Sequence, residues 1–192
     1  MPEHPSPAPA PRRNRRDDLL DAFARLVLEQ GERAATLEAV AAAADVSKGG
    51  LLYHFSSREA LVAGLCERFA ALVEADIAAA TEHERSLAEW YLRTSSDYDS
   101  PLERTMAALM RLAQHHDAVV RPALLAGRER WYALILDDLG DERLAHAVLL
   151  LGDGVAYNSE MEGPAPDAPR RSSAATVDGL VELVRALRML RS

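Results

Sequence analysis

Lys48, Gly49, Gly50, Tyr53, His54 and Arg58 bring together a cation, a bare stretch of backbone, two polar ring tips and a guanidinium within a few turns of chain. Charged donors of this kind suit phosphate oxygens, and polar tips suit base edges. Two adjacent glycines weaken a helix, each by roughly 1 kcal/mol against alanine in an interior and less at a terminus. Their presence in a first turn points to a backbone that another molecule, such as DNA, approaches closely. Lys48 is the only lysine among 22 basic residues and stands at the leading end of a short predicted helix. A helix presented in this way fits the major groove of duplex DNA, where the four base pairs are distinguishable.

The elements that must position these residues are legible on either side. Thr36 is a good N-cap, and Glu38 sets a carboxylate near the positive end of the following helix. Leu37, Val40, Ala41 and Ala44 recur as one buried helical face, and Ala41–Ala44 are strong helix formers that admit close packing. Asp45 and Val46 break that run, and Ser47 offers a fresh N-cap. In the next helix Leu51 faces the core, Phe55 closes the element, and Leu52, Tyr53 and His54 cannot all be buried.

A Thr-led helix is thus followed by Val46-Ser47-Lys48-Gly49, Tyr53-His54-Phe55 and Ser56-Ser57-Arg58-Glu59. This pattern resembles the tetracycline-repressor (TetR) family of bacterial regulators, nearly unbroken from about Arg15 to Leu65. Gly50 stands where the family often has Ser or Thr, so a hydroxyl contact there is missing. Leu52 replaces a frequent aromatic, so any base reading by it would be apolar, for instance against a thymine methyl. The resemblance implies an all-α protein, with a three-helix helix-turn-helix DNA-binding head and a helical ligand-binding and dimerisation body. It implies a homodimeric repressor on a near-palindromic double-stranded operator, released by a small-molecule effector of unknown identity. Arg58 matches the family's phosphate-contacting basic position; Thr36, Tyr53 and His54 are further backbone contacts, and Lys48 and Gly50 lie nearest the bases. With Ser47, Gly49 and Leu52, these form the expected DNA-binding set. A helix-turn-helix corner that binds nothing, an effector-independent DNA-binding protein and a helical enzyme are the competing readings. The last lacks a recognisable nucleophile–base pair, metal set or cofactor motif, so neither enzyme activity, cofactor nor metal is expected.

Composition fits that outline. Of 192 residues, 48% are hydrophobic but only 5% aromatic, the mark of an alanine- and leucine-rich helical chain. A lone cysteine, Cys66, excludes an internal disulfide framework and fits a reducing cytoplasm; it reads as a core residue, with a reactive thiol as the alternative. No apolar run is long enough for a membrane span or a signal peptide, so a soluble cytoplasmic protein is expected. The net charge of −8 is unevenly spread: residues 12–60 hold eight basic and eight acidic groups, and residues 61–192 hold 14 and 21. The acidic surplus therefore lies away from the DNA face. Arg12, Arg13, Arg15 and Arg16 form the densest basic cluster, either a DNA-reaching arm or a solvated tail.

Along the chain, residues 1–11 are proline-rich and predicted disordered, 12–60 form the head and 61–192 the body. Leu19, Leu20, Phe23, Leu26 and Val27 mark a helix over 17–30, stopped at Gly31. A long helix from Ser57 towards Ala80 is the expected mechanical link between head and body. Further helices are predicted near 84–96, 101–116, 118–139, 141–160 and 174–191, with Pro101 and Pro122 in first turns, a break at Gly140 and a proline-rich loop over 163–173. His115 and His116 point to different faces, which argues against chelation by that pair.

In the body, Trp90, Tyr91, Met106, Met110, Trp131 and Tyr132 are the large adaptable side chains. The resemblance implies an effector pocket among the middle helices, and Trp90, Met106, Met110 and Trp131 are its candidate lining, although ordinary core is the commoner explanation for any one of them. Arg104, His115 and Arg128 are candidates for orienting a polar or anionic ligand, with plain surface positions as the equal alternative. Apolar faces at Leu144, Val148, Leu151 and Val155, and at Leu180, Leu183, Val184 and Leu187, fit a four-helix dimer seam of the kind the family uses. Gly152 and Gly154 would allow close helix approach there.

Overall fold

Each of the first four helices begins where a side-chain oxygen accepts a hydrogen bond from an otherwise unpaired backbone amide. Asn14 serves Arg16, Thr36 serves Ala39 at 3.1 Å, Ser47 serves Gly50 at 3.0 Å, and Ser57 serves Ala60 at 3.2 Å. The computed structural model describes residues 14–83, 86–162 and 172–190. The predicted disordered tail, Arg12, Arg13 and residues 163–171 of the proline-rich loop lie outside them. The described residues are helical throughout, with no strand among them. None of their helices is long and apolar enough to cross a membrane.

The chain divides between Leu61 and Val62 into two compact units. In the first, helix α1 (Arg15–Gln30) stops at Gly31, whose φ of 82° glycine adopts freely. A single 3-10 turn (Glu32–Ala34) leads to α2 (Leu37–Ala43) and α3 (Lys48–His54). Leu19, Leu20, Phe23, Val27, Val40, Leu51 and Leu61 are fully buried and form the core on which α3 is seated. The corner between α2 and α3 is fixed by its backbone. The Val46 amide reaches the Ala41 carbonyl at 3.0 Å and the Asp45 amide reaches Ala42 at 3.2 Å, with Asp45 in the left-handed region at φ 53°. That is the Schellman arrangement, here made without its usual glycine.

Helix α4 (Arg58–Glu82) begins in the first unit and continues into the second, which adds α5 (Leu87–Thr94), α6 (Pro101–Leu112), α7 (Asp117–Leu139), α8 (Glu142–Glu162) and α9 (Ala174–Met189). Helix α5 is central, packed against α7, α8 and α9, while α6 lies on α7 and α8 on both α7 and α9. Gly140, at φ 64°, supplies the predicted break after α7.

Several boundaries differ from expectation, three of them instructively. Helix α5 ends at Thr94, where the Ser95 amide and hydroxyl both donate to the Tyr91 carbonyl, at 3.1 and 2.8 Å, and the chain turns away. Helix α6 ends at Leu112, whose carbonyl receives the amides of both His115 and His116 in a closing turn. Pro122 is not in a first turn but inside α7, which starts five residues earlier at Asp117. The hydrogen bond it forfeits would end on Ala118, and both residues are exposed, so the loss falls at the surface rather than in the core.

Candidate functional site

Helix α3 is held by two buried residues and shows the rest of itself to solvent. Leu51 is 0% and Phe55 3% exposed, whereas Leu52 is 40% and Tyr53 86% exposed. Lys48, Gly49 and His54 are exposed as well, and the Tyr53 and His54 rings meet edge to face at 5.1 Å. Tyr53, His54, Ser47, Gly50 and Arg15 share one shallow concavity with Asp45 and Val46, which brings an arginine of the basic cluster to α3. Arg16 instead lays its guanidinium over the Phe55 ring, 5.3 Å from its centre.

The polar groups of this face have definite partners. Lys48 Nζ lies 2.6 Å from Glu38 Oε1, and this hydrogen bond holds the Glu38 carboxyl below its usual range. Both side chains are exposed, so water and salt screen the pair and the ammonium is free to exchange it for a phosphate. The Thr36 and Ser47 oxygens accept from backbone amides, which leaves each hydroxyl proton for an outside acceptor. A side chain at Gly50 would meet the Ser47 hydroxyl at 3.3 Å, so its absence keeps that capping contact uncrowded.

Arg58 departs from expectation. Its guanidinium does not stand outward: it donates to the Glu32 carbonyl at 2.5 Å and to Glu32 Oε1 at 3.0 Å, and is half-buried there. A partner 26 residues away in the 3-10 turn captures it, a pairing that local sequence does not announce.

The second unit holds a cavity of about 580 Å³ that is partly open to solvent. Its walls come from α4 (Phe69, Val73, Asp76), α5 (Tyr91, Thr94), α6 (Glu103, Met106, Met110), α7 (Gly127, Arg128, Trp131) and α8 (Asp153, Ser159, Glu160). Met106, Met110 and Trp131 are among its lining residues. Trp90 is not: its indole N–H donates to Asp76 Oδ1 at 3.0 Å, behind the wall, and its ring lies 4.8 Å from that of His83. Tyr132 is also elsewhere, against His146. Of the candidate orienting residues only Arg128 reaches the lining, where its Nε and terminal nitrogen grip Asp153 Oδ2 at 3.0 and 2.8 Å. The Tyr91 hydroxyl donates to the other Asp153 oxygen at 3.1 Å. Burial first, then the Asp153 charge, raises the Tyr91 hydroxyl well above the ordinary phenol range.

Sequence reasoning missed the acidic lining altogether. Asp76, Glu103, Asp153 and Glu160 sit on three helices, and only the fold brings them together. Among the described residues no cluster of His, Cys, Asp and Glu is arranged to hold a metal ion. Cys66 is buried, and desolvation pushes its thiol up, which favours the core reading over a reactive one.

The α8 residues expected at a dimer seam mostly face their own unit. Leu144, Val148 and Val155 are buried within the unit itself, and Leu151 is half-buried. Gly152 is also internal: a Cβ there would fall 2.2 Å from the Tyr91 ring. The outward apolar residues of α8 are Leu150, Tyr157 and Met161, beside Gly154, whose surroundings are open. On α9, Val184 points inward, Leu180 is half-buried, and Leu183 and Leu187 are exposed as expected.

Residues 19–65 match the family model described as bacterial regulatory proteins, tetR family. No curated protein matches the chain. Among solved structures, a putative TetR-family transcriptional regulator from Rhodococcus sp. is 20% identical, with 91% of this chain and 98% of that one covered and a TM-score of 0.67. The multidrug binding protein EbrR complexed with malachite green is 22% identical, covering 90% and 98%, with a TM-score of 0.64. The ketosteroid transcriptional regulator KstR2 of Mycobacterium tuberculosis is 18% identical, covering 92% and 96%, with a TM-score of 0.62. The similarity to these three is one of fold, and it runs through head and body alike. Residues 19–65 thus carry the helix-turn-helix of the tetR family model, and the chain as a whole shares the fold of these solved regulators.

Proposed function

We propose that this regulator is a homodimeric repressor, released from a near-palindromic operator by a small molecule bound in the body cavity. One observation carries the reading. The helix whose first turn bears Arg58, directly after the recognition helix, is the same helix that supplies Phe69, Val73 and Asp76 to the cavity. A ligand shifts an equilibrium only through unequal affinity for its states, and α4 is where occupancy of the cavity and the position of a head can be coupled.

On the DNA side, Lys48, Gly49, Gly50 and Leu52 are assigned to the base edges, and Thr36, Ser47, Tyr53 and His54 to the phosphates. Arg58 takes a positioning role through Glu32. For assembly, Leu150, Tyr157 and Met161 of α8, with Leu183 and Leu187 of α9, support a seam with a second copy. The complex of EbrR with malachite green lends support to small-molecule binding in a body of this fold.

The test uses the full chain and the DNA flanking its own gene. A gel shift should give a sequence-specific complex, footprinting should reveal two half-sites about one helical turn or a multiple of it apart, and an apolar aromatic ligand should dissociate the complex. A complex that persists while calorimetry shows the cavity filled would leave an effector-independent DNA-binding protein.

A further inference from the structure

The cavity holds more acid than base. Asp153 is matched by Arg128 at 2.8 Å and Glu160 by Arg111 at 2.7 Å. Asp76 receives only the neutral indole N–H of Trp90, and among the described residues the Glu103 carboxylate has no hydrogen-bond or ion-pair partner. A second, independent group points the same way. Ser159, 2% exposed, lines the cavity with a buried hydroxyl oxygen that lacks a partner.

An unpaired carboxylate in an apolar enclosure is costly unless a cation completes it. The remaining walls specify what surrounds that charge: Phe69, Tyr91 and Trp131 offer aromatic faces, and Met106 a polarisable one. The volume suits a drug-sized molecule. We infer that the effector is an aromatic or lipophilic organic cation, its positive centre served by Glu103 and Asp76 and its apolar body by Phe69, Met106 and Trp131. This rests on the reading of the cavity as the effector site.

The groups around Glu103 fix how binding depends on pH. They are Asp76 on α4, Asp97 after α5, the Tyr91 hydroxyl on α5, Arg111 on α6, Arg128 on α7, and Asp153 and Glu160 on α8. Burial, then the charges of Asp76, Asp97 and Asp153, raise the Glu103 carboxyl to about 8. At neutral pH the empty cavity therefore keeps this carboxyl mainly protonated, and an entering cation displaces the proton. Affinity for a cation should climb by up to about tenfold per pH unit below that value and level off above it.

The experiment compares tetraphenylphosphonium with tetraphenylborate, ions of near-identical shape and opposite charge, and with neutral triphenylphosphine oxide, by calorimetry on the full chain. The phosphonium should bind at least about tenfold more tightly than either comparator at about pH 8. Proton release should appear as a dependence of the heat on buffer ionisation. Glu103→Gln should lose that preference and the pH dependence together, while Asp76→Asn should weaken binding but keep the pH dependence. Equal binding of cation, anion and neutral compound, unaltered in a folded Glu103→Gln protein, would overturn the cation inference and leave the effector cavity standing. Failure of all three to bind would overturn both.

Discussion

Tyr53 and Arg58 lie five residues apart and answer to different forces. The tyrosine ring is almost entirely in solvent, so its removal leaves the core untouched. Tyr53→Ala should keep the parent's thermal midpoint, within about 0.5 kcal/mol of stability, yet weaken operator binding by about fivefold or more in a gel shift. Arg58 is the opposite case. Its hydrogen bonds to Glu32 are charge-assisted and partly sheltered, and Arg58→Ala removes them while leaving a largely buried carboxylate behind. Loss of about 1.5–3 kcal/mol in head stability is expected by chemical denaturation. The salt dependence of DNA binding should stay unchanged; a slope reduced by about one would instead make Arg58 a phosphate contact. These two residues also mark the limit of what the sequence discloses. Tyr53 is exposed because a seven-residue helix cannot bury Leu51, Leu52, Tyr53, His54 and Phe55 together, which is local arithmetic. Arg58 is claimed by a residue 26 positions away, and Asp76 draws Trp90 out of the cavity wall in the same way, so their roles appear only in the folded chain.

At the level of elements, periodicity and capping residues located the helices because each depends on neighbours within a turn. Thr36, Ser47, Ser100 and Ser173 each cap the helix that follows, and Gly31 and Gly140 end the helices before them. Periodicity says that a face is apolar, not which neighbour it meets. Helix α8 is apolar on two sides: Leu144, Val148 and Val155 serve its own unit, while Leu150, Tyr157 and Met161 look outward. The first set is the more regular, so periodicity favours it for a seam, whereas exposure favours the second. Gly152 lies on the inner side, where α8 and α5 approach so closely that a Cβ would overlap the Tyr91 ring. Gly152→Ala should therefore push Tyr91 aside and break its hydrogen bond to Asp153, at a cost of about 1–3 kcal/mol in a denaturation experiment. Gly154→Ala, two residues on in open surroundings, should stabilise α8 slightly.

For the molecule as a whole, the cavity sets one condition on stability and the proposed assembly sets another. A carboxyl raised to about 8 in the folded state but near 4.5 when unfolded binds its proton more tightly in the native form. Its contribution is fully present below the unfolded value and is lost as pH rises from about 4.5 through about 8, a penalty on the order of a few kcal/mol at the upper end. Glu103→Gln should escape that penalty, so thermal melts should show the variant gaining on the parent from about pH 5 to about pH 9; a constant difference would place Glu103 in water. Assembly is tested by two adjacent residues of α9. Leu183 is 49% exposed within one chain and Val184 is 6% exposed, so a second copy is what would cover the first and the protein's own core covers the second. Leu183→Glu should leave each protomer folded by circular dichroism but turn a dimer at micromolar concentration into a monomer in sedimentation, because the charge would be buried only at the seam. Val184→Glu should unfold the body instead, since the charge is buried either way. With Leu183→Glu, operator affinity should fall steeply while any residual binding to a single half-site persists, because a lone head forfeits the second set of contacts that the other protomer contributes. A folded Leu183→Glu protein that remains dimeric would move the seam off α9 and onto the Leu150–Tyr157–Met161 face of α8 alone.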